Sequence, residues 1–130
     1  MPALEQLRGV RAVADPKSLD RADWHGDEGD DVTVLRFAPD DVFGVGARTV
    51  DVDDPDGIVE DEPGFVGAWL PAAEVVPHTE WPLPTERPAL AQGSIAGVPA
   101  KLWLPADGDA LLVTAAPYAH ELETRLGWRS

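Results

Sequence analysis

Apolar residues near the start of the chain fall at Leu4, Leu7 and Val10–Val13, close to helical spacing, with Gly9 as the weak point of that reading. Asp15 is placed to cap and Pro16 suits a first helical position, so a short helix is expected over Pro16–Trp24, stopped by Gly26. Gly26–Asp31 reads as a charged turn. The period then changes. Val32–Phe37 is β-branched and apolar, Ala38–Asp41 is a proline-acid turn, and Val42–Ala47 returns, which together predict a hairpin. Arg48–Val52 is expected to continue the sheet, and Gly64–Leu70 to add another short strand. The segment starting at Pro71 suggests a single helical turn ending before Pro77.

Thr79–Leu90 holds three prolines and is expected to be an extended crossover, with Trp81 and Leu83 pinning it down. Ser94–Leu104 reads as a strand broken or bulged at Gly97–Pro99. Pro105–Asp109 supplies an Asp-Gly turn, and Ala110–Ala116 the partner strand. Pro117–Gly127 is a helix with proline at its first position and glycine past its end. Tyr118, Leu122 and Leu126 form its apolar stripe, while Glu121 and Arg125 pair on its outer side. The sum is one α+β domain over residues 1–130: mainly an antiparallel sheet of hairpins, with helices at the N- and C-termini packed on one face.

Charge changes this picture more than any other compositional feature. Ten Lys and Arg stand against 24 Asp and Glu, a formal net charge of −14. Such a chain repels nucleic-acid phosphate and anionic lipid, so neither is an expected partner. Two readings of the acidity stand: a solvated surface adapted to high salt, or a face for a basic protein. No apolar run reaches the roughly 20 residues that a membrane span needs. Glu5 and Arg8 interrupt the place where a signal peptide would be apolar, so a cytoplasmic location is expected. The lack of cysteine excludes disulfides, thiolate metal sites and cysteine nucleophiles.

The stretch DVDDPDGIVEDE (Asp51–Glu62) invites a calcium-loop reading. With Asp51 as the first position, Asp53 and Glu62 fall correctly, but Pro55 and Asp56 occupy places that need an oxygen ligand and a glycine. The stretch therefore reads first as a solvated loop, second as a steering surface for a basic partner. Asp51, Asp53 and Glu62 are its weak candidates for a divalent cation, together with His25 or His78. His25 follows the expected helix, where a histidine can cap carbonyls, and His120 is expected to face solvent. Ser94 lacks the glycines of a nucleophile elbow, and no dinucleotide fingerprint occurs. No catalytic residue and no cofactor are assigned.

Trp69, Trp81 and Trp103 are the candidate interface anchors, as bulky aromatics close to prolines. The run VTVLRFAPDDVFGVG (Val32–Gly46), and more loosely Thr49–Gly57, resembles a hairpin in the gamma chain of heterotetrameric sarcosine oxidases. The end of the chain, Ala96–Trp128, resembles that family's final strand, Asp-Gly hairpin, strand and closing helix, including the pair Tyr118–Ala119. The resemblance covers about half the chain, and the proline-rich crossover departs from it. It implies a fold like one portion of the aminomethyltransferases, in a chain that packs against flavin-bearing subunits without holding the redox cofactors. The expected role is thus a non-catalytic accessory or interaction domain with a protein partner. The alternatives are a small ligand- or divalent-cation-binding domain, or a self-associating domain whose Gly64–Leu70 strand is an open edge.

Overall fold

The computed structural model describes residues 2–27 and 31–128, so the charged turn expected at Gly26–Asp31 lies partly outside the described residues. The chain divides into two compact units. One is Leu7–Pro63; the other combines Met1–Gln6 with Gly64–Ser130. The second division falls at Pro63–Gly64, between one strand and the next, without the composition shift or long linker that would mark it in a sequence.

After β1 (Glu5–Gln6), which belongs to the second unit, the Leu7–Pro63 unit runs through β2 (Gly9–Val13), α1 (Pro16–Asp20) and β3 (Asp23–Gly26). It continues with β4 (Thr33–Ala38), β5 (Asp41–Val45), β6 (Ala47–Asp51) and β7 (Ile58–Asp61). Four strands form an antiparallel sheet in the order β4-β5-β2-β7, while β3 and β6 pair as a separate ribbon. The segment expected to open the chain as a helix is therefore extended. Val10, Ala12 and Ala14 are buried whereas Arg11 is half-buried and Val13 exposed, which is period two. Gly9, the weak point of a helix, is required here. A Cβ on it would lie 2.3 Å from the Gly44 carbonyl oxygen and 2.7 Å from the Phe43 ring.

The core of this unit gathers Val10, Ala12, Leu19, Val42, Ala47 and Val50, with Trp24 packed against it. The α1 helix begins as its sequence suggests: the Asp15 carboxylate accepts the Lys17 N–H and Pro16 occupies the first turn. It ends at Asp20 rather than Trp24, because Asp23–Gly26 pairs with β6 and lays the Trp24 ring over Gly44. The β4–β5 hairpin turns at Pro39–Asp40 as expected. β6 was expected to extend that sheet, but after Gly46 (φ 86°) the chain turns away into the ribbon with β3.

The second unit is an antiparallel sheet in the order β1-β8-β11-β10-β9, made from β1, β8 (Phe65–Leu70), β9 (Ala89–Ile95), β10 (Val98–Leu104) and β11 (Ala110–Ala115). One face carries Leu70, Ala91, Leu102, Leu104 and Leu112 into a core closed by Val75, Ile95 and Leu122. Leu122 comes from α2 (Ala119–Arg125), reached through a 3₁₀ turn at Ala116–Tyr118 and followed by Gly127 at φ 79°. Leu122 is fully buried and Leu126 packs beside it. Glu121 and Arg125 pair on the outer side and His120 is exposed, as the spacing predicts, but Tyr118, expected in the same apolar stripe, lies in the 3₁₀ turn and is exposed. The buried Glu123 accepts the Leu4 N–H at 3.0 Å and so ties the N-terminal segment to α2.

Three details of this unit differ from the sequence reading. The helical turn after Pro71 is a pair of 3₁₀ turns, and the second, Val76–His78, runs through Pro77. The break expected at Gly97–Pro99 is a hairpin turn: Ala96 (φ 50°) and Gly97 (φ 79°) form a two-residue loop that closes Ile95 against Val98. The residues before it, from Ala89, form a strand that the nearby prolines concealed. Nor is β8 open along its whole length, since Gly67 and Val66, two of its six residues, pair with Glu5 and Gln6. Those two partners, Glu5 and Gln6, lie in the segment whose spacing predicts a helix.

The proline-rich segment is pinned as expected, through Trp81 and Leu83 on the core. Trp81 lies flat over Gly93, where a Cβ would stand 2.8–3.0 Å from its ring atoms. A rigid indole cannot yield by rotating a flexible end. Gly93→Ala is expected to lift it at a cost of about 1–3 kcal/mol. Limited proteolysis should then cut within residues 82–88 faster than in the parent chain, and an unchanged cleavage rate would show that Trp81 does not hold the segment.

Candidate interaction surfaces

The three tryptophans chosen from sequence do not share a surface. In the Gly64–Ser130 part of the second unit, Trp103 is the Cα partner of both Leu90 and Leu111, and Leu111 is the partner of Trp69. Directly paired residues project from the same side of a sheet, so Leu90, Trp103, Leu111 and Trp69 form one cross-strand row. That face is opposite to Leu70, Leu102 and Leu112. Trp81 belongs to the core-facing side, over Gly93. Within the row Leu111 is fully buried, Trp103 and Leu90 are half-buried, and Trp69 is 50% exposed. Trp69 is the one exposed tryptophan among the described residues. A large indole held half in water at the end of an apolar row is the pattern of an interface anchor.

The same sheet borders an open cavity of about 500 Å³ lined by Phe65, Gln92, Lys101, Thr114 and Tyr118, among others. The Thr114 hydroxyl donates to the Pro99 carbonyl at 2.8 Å, and among the described residues no histidine or carboxylate lines the cavity.

In the Leu7–Pro63 unit the acidic stretch is an ordered turn with a strand at each end. Asp54 organises it: its carboxylate accepts the Asp15 and Asp56 N–H groups at 2.8 and 2.9 Å, and its carbonyl accepts the Gly57 N–H. These backbone donors, Asp15 first, lower the Asp54 pKa below its ordinary value. The Ser18 hydroxyl donates to the Asp53 carbonyl at 2.9 Å. The flanks, β6 and β7, are strands, which agrees with the failure of the calcium-loop pattern.

The candidate cation ligands separate. Glu62 accepts from Arg11 Nη1 at 3.0 Å, while Arg11 also engages Asp41 through Nε at 2.9 Å and Nη2 at 2.6 Å. Asp41 does most to push the Arg11 pKa up; partial burial opposes the rise and Glu62 adds to it. The Asp53 side chain is exposed, and His78 lies in the other unit.

Asp51 does meet His25. His25 Nε2 stands 3.0 Å from Asp51 Oδ2 and 3.4 Å from Asp23 Oδ2, and ligand atoms of the three residues lie within 4.8 Å of one another. His25 is thus a strand residue bridging carboxylates, not a helix cap. Asp23, absent from the sequence candidates, arrives because β3 pairs it directly with Asp51. Like charges so opposed repel, and His25 reaches between them. All three side chains are exposed.

Among the described residues, no helix is long and apolar enough to cross a membrane. No protein-family model matches the chain, and comparison with curated proteins gives no match. Among solved structures, the fold matches a chain of a heterotetrameric sarcosine oxidase from Corynebacterium sp. U-96, in complex with pyrrole 2-carboxylate. The TM-score is 0.64 at 13% identity, covering 96% of this chain and 83% of that one. At that identity the similarity is one of fold: this chain is folded like a chain of a heterotetrameric oxidase.

Proposed function

We propose that this protein is a small accessory subunit of an oxidoreductase-type assembly, without catalytic activity of its own, taking the part that the gamma chain takes in heterotetrameric sarcosine oxidases. The observation that carries this reading is the fold likeness along almost the whole chain, to a chain only modestly longer than this one. The exposed end of the Trp69–Trp103 row supports it, because such a row is the kind of surface a partner covers. Affinity capture from the native organism, at its own intracellular salt, is the test. A flavin-bearing protein should be recovered in stoichiometric amount, and recovery of the bare chain at every salt concentration would overturn the reading.

A second reading is favoured by the meeting of Asp23, His25 and Asp51. One imidazole nitrogen and two carboxylates suit a zinc-like cation better than calcium, which prefers six to eight oxygens. Calorimetric titration should then give heat with zinc that His25→Ala abolishes. No heat and no rise in melting temperature with zinc, calcium or magnesium would remove this reading.

A further inference from the structure

The strand β7 is the outermost member of its sheet, and all four of its residues are exposed. Glu62 N–H donates to the Gly9 carbonyl at 3.0 Å, which fixes the alternation of the antiparallel pair. The backbone groups of Ile58 and Glu60 therefore face β2, and those of Val59 and Asp61 point outward. The side chains alternate as well. Ile58 and Glu60 lie on the same side as Arg11 and Val13, around an open cavity of about 300 Å³. Val59 borders a second cavity, of about 540 Å³, rimmed by Asp51, Asp53 and Asp54. Two β-branched side chains, Ile58 (56% exposed) and Val59 (45%), stand at this edge. Among the described residues, Glu60 and Asp61 carry no ion pair.

We propose that β7 accepts, by strand addition, an extended segment of a partner protein with Lys or Arg among β-branched residues. The main chain of that segment would bond to Val59 and Asp61, and its successive side chains would fall in turn toward the two cavities. Acids outnumber bases at both rims, Glu60, Asp61 and Glu62 against Arg11 at one and Asp23, Asp51, Asp53 and Asp54 against Arg21 at the other, so basic residues fit on either side, with Ile58 and Val59 giving apolar contact between them. A second copy of this chain is the wrong occupant, because two β7 edges would set Glu60 and Asp61 against their own kind. The acidic edge thus rejects itself while attracting its opposite, and it speeds encounter at low salt. This inference stands apart from the accessory-subunit reading, since the edge lies in the Leu7–Pro63 unit and its chemistry does not depend on what larger assembly the partner belongs to.

The test uses the whole chain and three short end-capped peptides: one alternating Val with Lys or Arg, the same peptide with its central Val replaced by Pro, and one with every basic residue replaced by Glu. Fluorescence anisotropy at low salt should show binding of the first alone, with slowed amide exchange at Val59 and Asp61. Val59→Pro removes only an outward N–H, which an edge strand tolerates, and should weaken binding about tenfold or more. Should that variant not fold, the paired substitution Glu60→Lys and Asp61→Lys keeps the backbone and must lose the same peptide. Failure of the alternating peptide to bind would overturn the proposal. So would binding indifferent to proline in the peptide, because plain charge attraction would then account for it.

Discussion

Phe43→Ala is expected to destabilise the protein by about 3–5 kcal/mol, the usual range for removing a fully buried aromatic ring. Phe43 is 0% exposed, its ring centroid lies 6.2 Å from that of Phe37, and its edge occupies the space that Gly9 leaves open. Phe43 sits opposite Leu35 on one side and Arg11 on the other, so the void would open in the middle of the β4-β5-β2-β7 sheet. Its two cross-strand neighbours do not collapse easily into it. Leu35 is itself fully buried, and Arg11 is held by Asp41 and Glu62 while its guanidinium lies 5.8 Å from the Phe37 ring. Such a loss is comparable with much of the stability of a small domain, about 5–15 kcal/mol. Urea denaturation followed by circular dichroism gives the figure. A cost below about 1 kcal/mol would mean that the ring is not enclosed as described.

The second large effect concerns binding. Trp69→Ala and Trp103→Ala should each weaken capture of the partner by about thirtyfold, the consequence of roughly 2 kcal/mol at an interface anchor. Trp69 is half in water in the isolated chain, so its removal should leave the melting temperature almost unchanged. Trp81→Ala is the contrasting variant. Trp81 packs on Gly93 beside the core, and its loss should loosen residues 79–88 and lower stability while capture persists. Equal loss of capture for all three variants would show that the cross-strand row is not the contact surface.

The parts of the fold that the sequence declared are those set by local chemistry. Proline at the start and glycine past the end delimit the last helix, the Asp-Gly pair makes the β10–β11 turn, and the proline-acid turn closes β4–β5. What stayed hidden depends on partners distant in the chain. Residues 4–13 have a near-helical spacing, yet β5 and β7 hold β2 extended from both sides and β8 takes up β1. The strand from Ala89 was masked by prolines before it and by a turn whose first residue is alanine rather than asparagine or glycine.

The sites follow the same rule. Asp51 and His25 could be named from their residue types. Asp23 could not, because only the β3–β6 register brings it opposite Asp51. The faces on which Trp69, Trp81 and Trp103 lie were hidden for a related reason: strand pairing places the first and last on one face and leaves Trp81 on the other. The edge β7 lay inside the acidic run, where its Ile-Val pair gave too short an apolar signal to read as a strand.

The proposed role is that of one subunit of a larger oxidoreductase-type assembly. Native mass spectrometry of the protein isolated intact from its own organism, with the visible spectrum of the same sample, tests it most directly. The expected result is a complex containing this chain and larger, different subunits in fixed proportion, with flavin absorbance that does not belong to this chain. A species made of this chain alone, monomeric or self-associated, at every salt concentration tried, would contradict it.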